Sequence, residues 1–241
     1  SVLEPEAQLD NPFKESEKYY SGKLLARTNG RKKRKIGDVD YSNVFDFNNL
    51  DNNTPSNRAL IKEVDIRAHV HSKHFSPIQK AYTIDGQPGK RSIHPISHYI
   101  GLIFVPNPFT NEQQQYWVHR CLKEYTLNNP TNLHNLAPEK YPIWTEWQKD
   151  LLPLLRWSSV GYHFQWTPRI YTDEHKGSFP EDLNEFVSDM AKQFGYDMVA
   201  EASIINFYPN AKCYMGGHLD DAEDDMSKPI VSTSFGNNVS K

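Results

Sequence analysis

IINFYPNAKCYMGGHLDDAEDDMSKPIVSTSF, running from Ile204 to Phe235, combines an Asn-x-Tyr pair, a Gly-Gly, a His-x-Asp pair and a crowd of acids. From Val199 the apolar period becomes two, so Val199–Tyr208 reads as a strand with Asn206 and Tyr208 on one face. Pro209-Asn210-Ala211 reads as a turn. Lys212–Asp220 then reads as a returning strand that aims His218 and Asp220 at one point, and Pro229–Phe235 as a third strand. An imidazole and a carboxylate aimed together supply two corners of a 2-His-1-carboxylate facial triad, the donor set of non-haem Fe(II). The bland alternative is an ordinary surface pair on a turn. A calcium loop is excluded, because an EF-hand needs Gly at position 6 and Glu at position 12. Counted from Asp220 those positions are Asp225 and Val231, and from Asp221 they are Met226 and Ser232.

Upstream, the pattern is helical. SFPEDLNEFVSDMAKQFG carries Leu183, Phe186, Val187, Met190 and Phe194 along one stripe, with Gly195 as a stop. Ser178 and Glu181 predict a capping box there, with Pro180 in the first turn. Thr110 and Gln113 predict another, opening a helix over about Asn111–Leu127. On that helix Val118, Cys121, Leu122 and Tyr125 follow the i, i+3, i+4, i+7 spacing, which makes Cys121 a packed core thiol. Tyr99–Val105 predicts a short buried strand, closed by Pro106 and Pro108. The stretch from Tyr141 to Trp166 holds Trp144, Trp147, Trp157 and Trp166, which serve either as core or as a platform for stacked bases. Helices first and strands last predict an α+β fold, with helices against one face of a mainly antiparallel sheet.

The bulk numbers add bounds. The 241 residues are 37% hydrophobic with a net charge of −3, so any nucleic-acid binding has to be local. A mean hydropathy of −0.73 suits a folded part joined to disordered parts. Residues 1–90 are assigned as a largely disordered region, with a short helix over Asn11–Arg27 and a basic run, RKKRK, at Arg31–Lys35. The run suits a nuclear address or a phosphate-contact arm. NVFDFNNLDNNTPSN reads as solvated chain; HVHSKH, with His69, His71 and His74, resembles a metal cluster but lacks a nearby Cys or carboxylate pair in a known spacing, so a solvated loop is the better reading. Cys121 and Cys213 make no disulfide framework. No apolar run approaches a membrane span. The expected address is intracellular, the nucleus first, with mitochondrion or cytoplasm as the other options; oligomeric state is left open.

Taken together, the Asn-x-Tyr strand, the His-x-Asp pair, KPIVSTSFG, GLIFVPNPF at Gly101–Phe109, the helix from Trp117, LRWSSVGYHFQW at Leu155–Trp166 and EASIINFY resemble the AlkB family of Fe(II)/2-oxoglutarate dioxygenases, in the branch of eukaryotic AlkB homologue 1. The likeness covers about residues 99–236. It implies a double-stranded β-helix (jelly-roll), here incomplete, occupying residues 91–241. It implies His218 and Asp220 as iron ligands and Asn206 and Tyr208 as contacts to 2-oxoglutarate. Trp157, Tyr162 and Phe164 match the base-contacting aromatics of the nucleotide-recognition lid. The implied activity is oxidative demethylation of N-methylated DNA or tRNA, with formaldehyde released.

The chain departs from the family at a few places. Ala222 stands where bacterial members carry an acid, and His218 is the last histidine. No arginine follows Arg169, whereas the family binds the oxoacid with a pair of later arginines and iron with a distal histidine. The expectation is therefore a chain truncated at its C-terminus, with weak iron binding and no turnover. A non-catalytic nucleic-acid-binding fragment of the same family is the alternative. A hydrolase or lyase using His-x-Asp on an unrelated sandwich is a third reading, which 2-oxoglutarate binding separates from the first.

Overall fold

The computed structural model describes residues 19–20, 40–42, 44–85, 101–167, 169–210, 213–216, 218, 220 and 222–236. Its contacts divide the chain into two units: Ser1–Arg58 with Met215–Leu219 and Asn238–Lys241, and Ala59–Tyr214 with Asp220–Asn237. The expected helix over Asn11–Arg27 lies outside the described residues, apart from helical Tyr19 and Tyr20. RKKRK lies outside them altogether.

In the first unit the Asn- and Asp-rich stretch is ordered by its own side chains. The Asp46 carboxylate accepts from the backbone N–H groups of Asn48 and Asn49, both at 2.9 Å, and from the Asn52 amide at 2.8 Å. Asn53 donates to the carbonyls of Asp46 and Leu50, which closes a 3-10 turn over Leu50–Asn52. This corrects the reading of solvated chain: short polar side chains satisfy the backbone locally where apolar burial is missing. Helix α1 (Pro55–Leu60) follows, with Pro at its first position and the Thr54 hydroxyl accepting from Asn57 N–H.

Among its described residues the second unit holds three further α-helices. Helix α2 (Asn111–His119) opens with the expected capping box between Thr110 and Gln113. It does not run on to Leu127 as an α-helix. Arg120–Glu124 is a π-helical turn, closed by Tyr125 N–H on the Arg120 carbonyl at 2.8 Å. The wider turn shifts the facing stripe, so Trp117 and Tyr125 are buried while Val118 and Leu122 are only half-buried. Cys121 packs against the core from its edge, and burial pushes its thiol up to about 11. Helix α3 is short (Asn132–Leu136) and is capped by Thr131.

Helix α4 (Glu181–Gln193) buries Phe186, Val187 and Met190, and Phe194 just beyond it, as the stripe requires. The expected Ser178–Glu181 box does not form: Pro180 is the N-cap and makes no side-chain bond. The acids of the first turn still suit the helix dipole there, and Asp182 also takes Arg120 Nε at 2.7 Å and the Tyr116 hydroxyl at 2.6 Å. Gly195 stops the helix with φ +84.

The core of this unit joins Val64, Phe75, Ile78 and Ala81 to Trp117, Tyr125, Val160 and the α4 stripe. The reading of residues 1–90 as largely disordered therefore does not hold for this part of the chain. Val64, Phe75, Ile78 and Ala81 are too scattered to show a period, yet all four are buried. His74 is buried as well, with Nε2 at 2.7 Å from the Glu185 carboxylate and its carbonyl accepting from Trp117 Nε1.

The described strands form three two-stranded antiparallel ribbons: β1 (Ile61–Glu63) with β2 (Tyr82–Ile84), β3 (Trp157–Gly161) with β6 (Ala202–Asn206), and β4 (His163–Gln165) with β5 (Ile170–Thr172). The architecture is thus mixed helix and strand with small sheets, and no closed barrel occurs among the described residues. Of the strand expected at Tyr99–Val105, the described residues from Gly101 onward carry only a bridge between Phe104 and Tyr82. Pro106 and Pro108 have no N–H to extend that ladder. Pro229–Phe235 is not a strand; Val231 and Phe235 pack on the core, and no strand among the described residues pairs with the segment. Among the described residues no helix is long and apolar enough to cross a membrane.

Candidate active site

Strand β6 places the Asn-x-Tyr pair. It lies against β3 with Trp157 opposite Asn206, Ser159 opposite Ile204 and Gly161 opposite Ala202. Beyond the strand end, Phe207 N–H donates to the Arg156 carbonyl at 2.8 Å and its ring packs with Leu133, Trp144 and Leu155. Asn206 and Tyr208, on either side of Phe207, are both exposed. The strand expected over Val199–Tyr208 is shorter, Ala202–Asn206, so Tyr208 lies beyond its end.

Trp157 also leads into an aromatic patch. Gly161 turns the chain from β3 toward β4 with φ +76, and a Cβ there would collide with the Glu201 carbonyl. The β4–β5 hairpin follows, with Phe164 opposite Tyr171. Phe164 is only 9% exposed, held by Tyr171 at 5.2 Å and by Trp166 at 5.1 Å between ring centroids. Trp166 in turn lies 6.0 Å from Trp157. The half-buried Tyr162 ring carries Lys176 Nζ 3.4 Å from its centroid, a cation–π contact. So Trp157, Phe164 and Trp166 form one cluster, while Tyr162 is occupied by a lysine.

Polar groups stand behind and beside this patch. His163 is buried with Nδ1 3.1 Å from the Ser159 hydroxyl, and its ring lies 6.1 Å from that of Trp157. Burial chiefly, and the neighbouring His175 and His134, hold its pKa down, with Glu174 opposing. The Tyr171 hydroxyl donates to Glu223 at 2.9 Å. Burial first, then that bond and the charges of Glu223 and Asp220, push the phenol far up. Asp220 is thus close enough to the β4–β5 hairpin for its charge to be felt at Tyr171. Sequence reasoning missed both Tyr171 and Glu223; the alternation through HFQW and IYT carries the signal for the tyrosine, and nothing local marks the glutamate.

His218 and Asp220 fall in different units, His218 with Met215–Leu219 and Asp220 with Asp220–Asn237. None of the described residues from Cys213 to Asp220 is in a strand, contrary to the expected return over Lys212–Asp220. Gly-Gly and a run of Asp are poor strand formers, which accounts for the difference. His218 Nδ1 donates to the Gly216 carbonyl at 2.8 Å, which fixes the tautomer with the lone pair on Nε2. That is the arrangement found in metal-binding histidines. Yet among the described residues no three His, Cys, Asp or Glu side chains are placed to hold a metal. A facial triad needs three donors. The described residues do not make a whole iron site.

Comparison with known proteins assigns this framework. The family model described as the 2OG-Fe(II) oxygenase superfamily matches residues 101–240. The human protein named nucleic acid dioxygenase ALKBH1 is 36% identical over 176 residues, 66% of this chain and 45% of its own length. The Arabidopsis thaliana DNA N(6)-methyladenine demethylase ALKBH1A is 25% identical over 247 residues, 86% of this chain and 66% of its own. The Schizosaccharomyces pombe tRNA demethylase abh1 is 37% identical over 86 residues, 34% of this chain and 28% of its own. Against the mammalian relatives the chain spans about half their length. The match over more than half of these residues, together with the agreement of the relatives, places the chain in the 2OG-Fe(II) oxygenase superfamily, in the AlkB family and on its ALKBH1 branch.

Proposed function

We propose that the chain carries the lid and the first ligands of an oxidative demethylase that acts on N-methylated DNA or tRNA with Fe(II) and 2-oxoglutarate. In this reading His218 and Asp220 are two of the iron ligands, and Asn206 and Tyr208 contact 2-oxoglutarate. Trp157, Tyr162 and Phe164 belong to the lid over the target base, within an incomplete jelly-roll. With the oxoacid and O₂, the iron supplies the oxidation that releases an N-methyl group as formaldehyde. The observation that carries the proposal is the β3–β6 register, which sets Trp157 directly opposite Asn206. A base stacked at the tryptophan would then lie beside a molecule held by the asparagine. An aromatic face accepts any base once it has been taken out of its stack. The basic run is proposed as a nuclear address, and nucleic acid as the partner.

The experiment measures 2-oxoglutarate binding and formaldehyde release together. The 241 residues are incubated with Fe(II), 2-oxoglutarate and N-methylated single-stranded DNA or tRNA. The expected result is oxoglutarate binding that weakens in N206A and Y208F, without turnover, because among the described residues no three donors come together. Formaldehyde release that depends on both iron and oxoglutarate would overturn the expectation of no turnover. Nucleic-acid binding with no response to oxoglutarate would favour the non-catalytic reading.

A further inference from the structure

Two buried histidines of the second unit have opposite surroundings. His74 meets the Glu185 carboxylate at 2.7 Å. His163 is 5% exposed and bonds instead with the neutral Ser159 hydroxyl, at 3.1 Å. What faces it is more imidazole. The His175 ring lies 6.3 Å away between centroids, and the His134 ring lies 5.3 Å from that of His175. Three separate segments bring these rings together: β4 carries His163, the turn after β5 carries His175, and α3 carries His134. His134 already donates through Nδ1 to the Tyr141 carbonyl at 3.1 Å, which leaves Nε2 to take up a proton. The other neighbours offer little countercharge. From β3 come Ser159 and the Trp157 ring, 6.1 Å away, and β6 sets Ile204 opposite Ser159. From β5 comes Thr172, opposite His163 in register, with its hydroxyl buried and without a hydrogen-bond partner among the described residues. The nearby acid is Glu174, an exposed side chain that accepts from the Gln165 amide at 2.7 Å and stands 3.9 Å from His175 Nε2. Asp173 and Lys176, on the same turn, pair with each other at 3.8 Å.

We infer that His134, His163 and His175 form an acid-sensitive latch, which holds β4 and β5 to β3 and α3 while the rings are neutral and releases them when the rings are protonated. The inference stands on this packing and not on the demethylase reading. Like charges a few ångströms apart repel more strongly where water screens them less. Burial further penalises the charged form of His163. Burial first, then the charges of His175 and His134, hold its pKa down, with Glu174 opposing. A histidine pKa lowered by folding means stability that is fully present above the ordinary value, about 6.5. That stability is lost as pH falls from there toward the lower, folded value. The loss lands on β4 and β5 because they are three residues each and pair only with one another, a ribbon that is marginal without side-chain support. His74 responds differently, since a carboxylate already stands beside it. Release of the ribbon also reaches the segment beyond Asp220, because Tyr171 on β5 holds Glu223 at 2.9 Å.

The test follows the 241-residue chain from about pH 7.5 to about pH 5, the range in which histidines titrate. It reads hydrogen exchange, corrected for the intrinsic pH dependence of amide exchange, and the NMR signals of the histidine Cε1 positions. The expected result is a severalfold fall in the protection of β4 and β5 across that range, with α4 keeping its protection. In H163Q, neutral at every pH, the fall disappears. In H134Q/H175Q, altered at less buried positions, it shrinks, because one charge remains in place of three, and the His163 signal titrates at higher pH than in wild type. Unchanged protection in wild type, or a fall of the same size in either variant, overturns the latch. A fall shared equally by α4 overturns it too, because that is general acid unfolding. If H163Q does not fold, H134Q/H175Q decides alone. Oxoglutarate binding at about pH 7.5, where the latch is closed, tests the demethylase reading separately.

Discussion

Asp182 shows how one carboxylate joins two parts of the core. It sits in the first turn of α4 and receives Arg120 through Nε at 2.7 Å and Nη2 at 3.1 Å, plus the Tyr116 hydroxyl. Burial works to raise its pKa, but the bonds from Arg120 and Tyr116 and the charge of Arg120 outweigh it and leave the group below its ordinary value. A depressed folded-state pKa means stability that is fully present above the unfolded value, about 3.9. It is lost as pH falls through the lower, folded value. For D182N we expect a loss of about 1.5–3 kcal/mol at neutral pH, the worth of bonds to a charged group. Urea midpoints of wild type and D182N measured from pH 7 downward should converge below about pH 4. A gap that stays constant through that range would show that the charge of Asp182 is not what matters. None of this pairing is visible in the sequence, since Arg120 and Asp182 are far apart along the chain and each reads as an ordinary helix-surface charge.

The elements were legible in proportion to how much of their pattern is local. Helix α4 follows from its stripe, and the capping box of α2 follows from Thr110 and Gln113. The π-helical turn at Arg120–Glu124 does not, because a change of helical pitch leaves no mark in apolar spacing. The strands after Asn206 were over-read for a related reason: alternation in Pro229–Phe235 signals a side to bury, and Val231 and Phe235 do bury it, but a ladder needs a partner. Within the candidate site, Trp157 and Asn206 were legible from motif and period, whereas their pairing, and the burial of Phe164, come from tertiary contacts. The corner between β3 and β4 offers a test. At Gly161 both the positive φ and the approach of the Glu201 backbone exclude a side chain. G161A should cost more than the ~1 kcal/mol typical of a surface change, because backbone has to move. It should also weaken oxoglutarate and oligonucleotide binding together, through displacement of Trp157 and the hairpin. A melting temperature and binding constants matching wild type would show that the corner can relax.

At the scale of the whole molecule, the family match and the folded core have different limits. The match begins at residue 101, yet Val64, Phe75, Ile78 and Ala81 are buried in the core, and His74 is tied to Glu185 on α4. The sequence hid this because four apolar residues spread over a polar stretch show no period. A polypeptide trimmed to 101–240 would uncover the side of α4 and Trp117 on which those residues sit. Deleting a single buried side chain already costs ~2–5 kcal/mol, against a total stability of about 5–15 kcal/mol for a domain. The trimmed protein should bind the dye ANS and melt without a cooperative transition, while the 241 residues melt sharply. The apparently dispensable leader at residues 59–85 thus acts as an intramolecular clasp, and a hereditary or engineered lesion there would abolish the protein without touching any ligand-binding position.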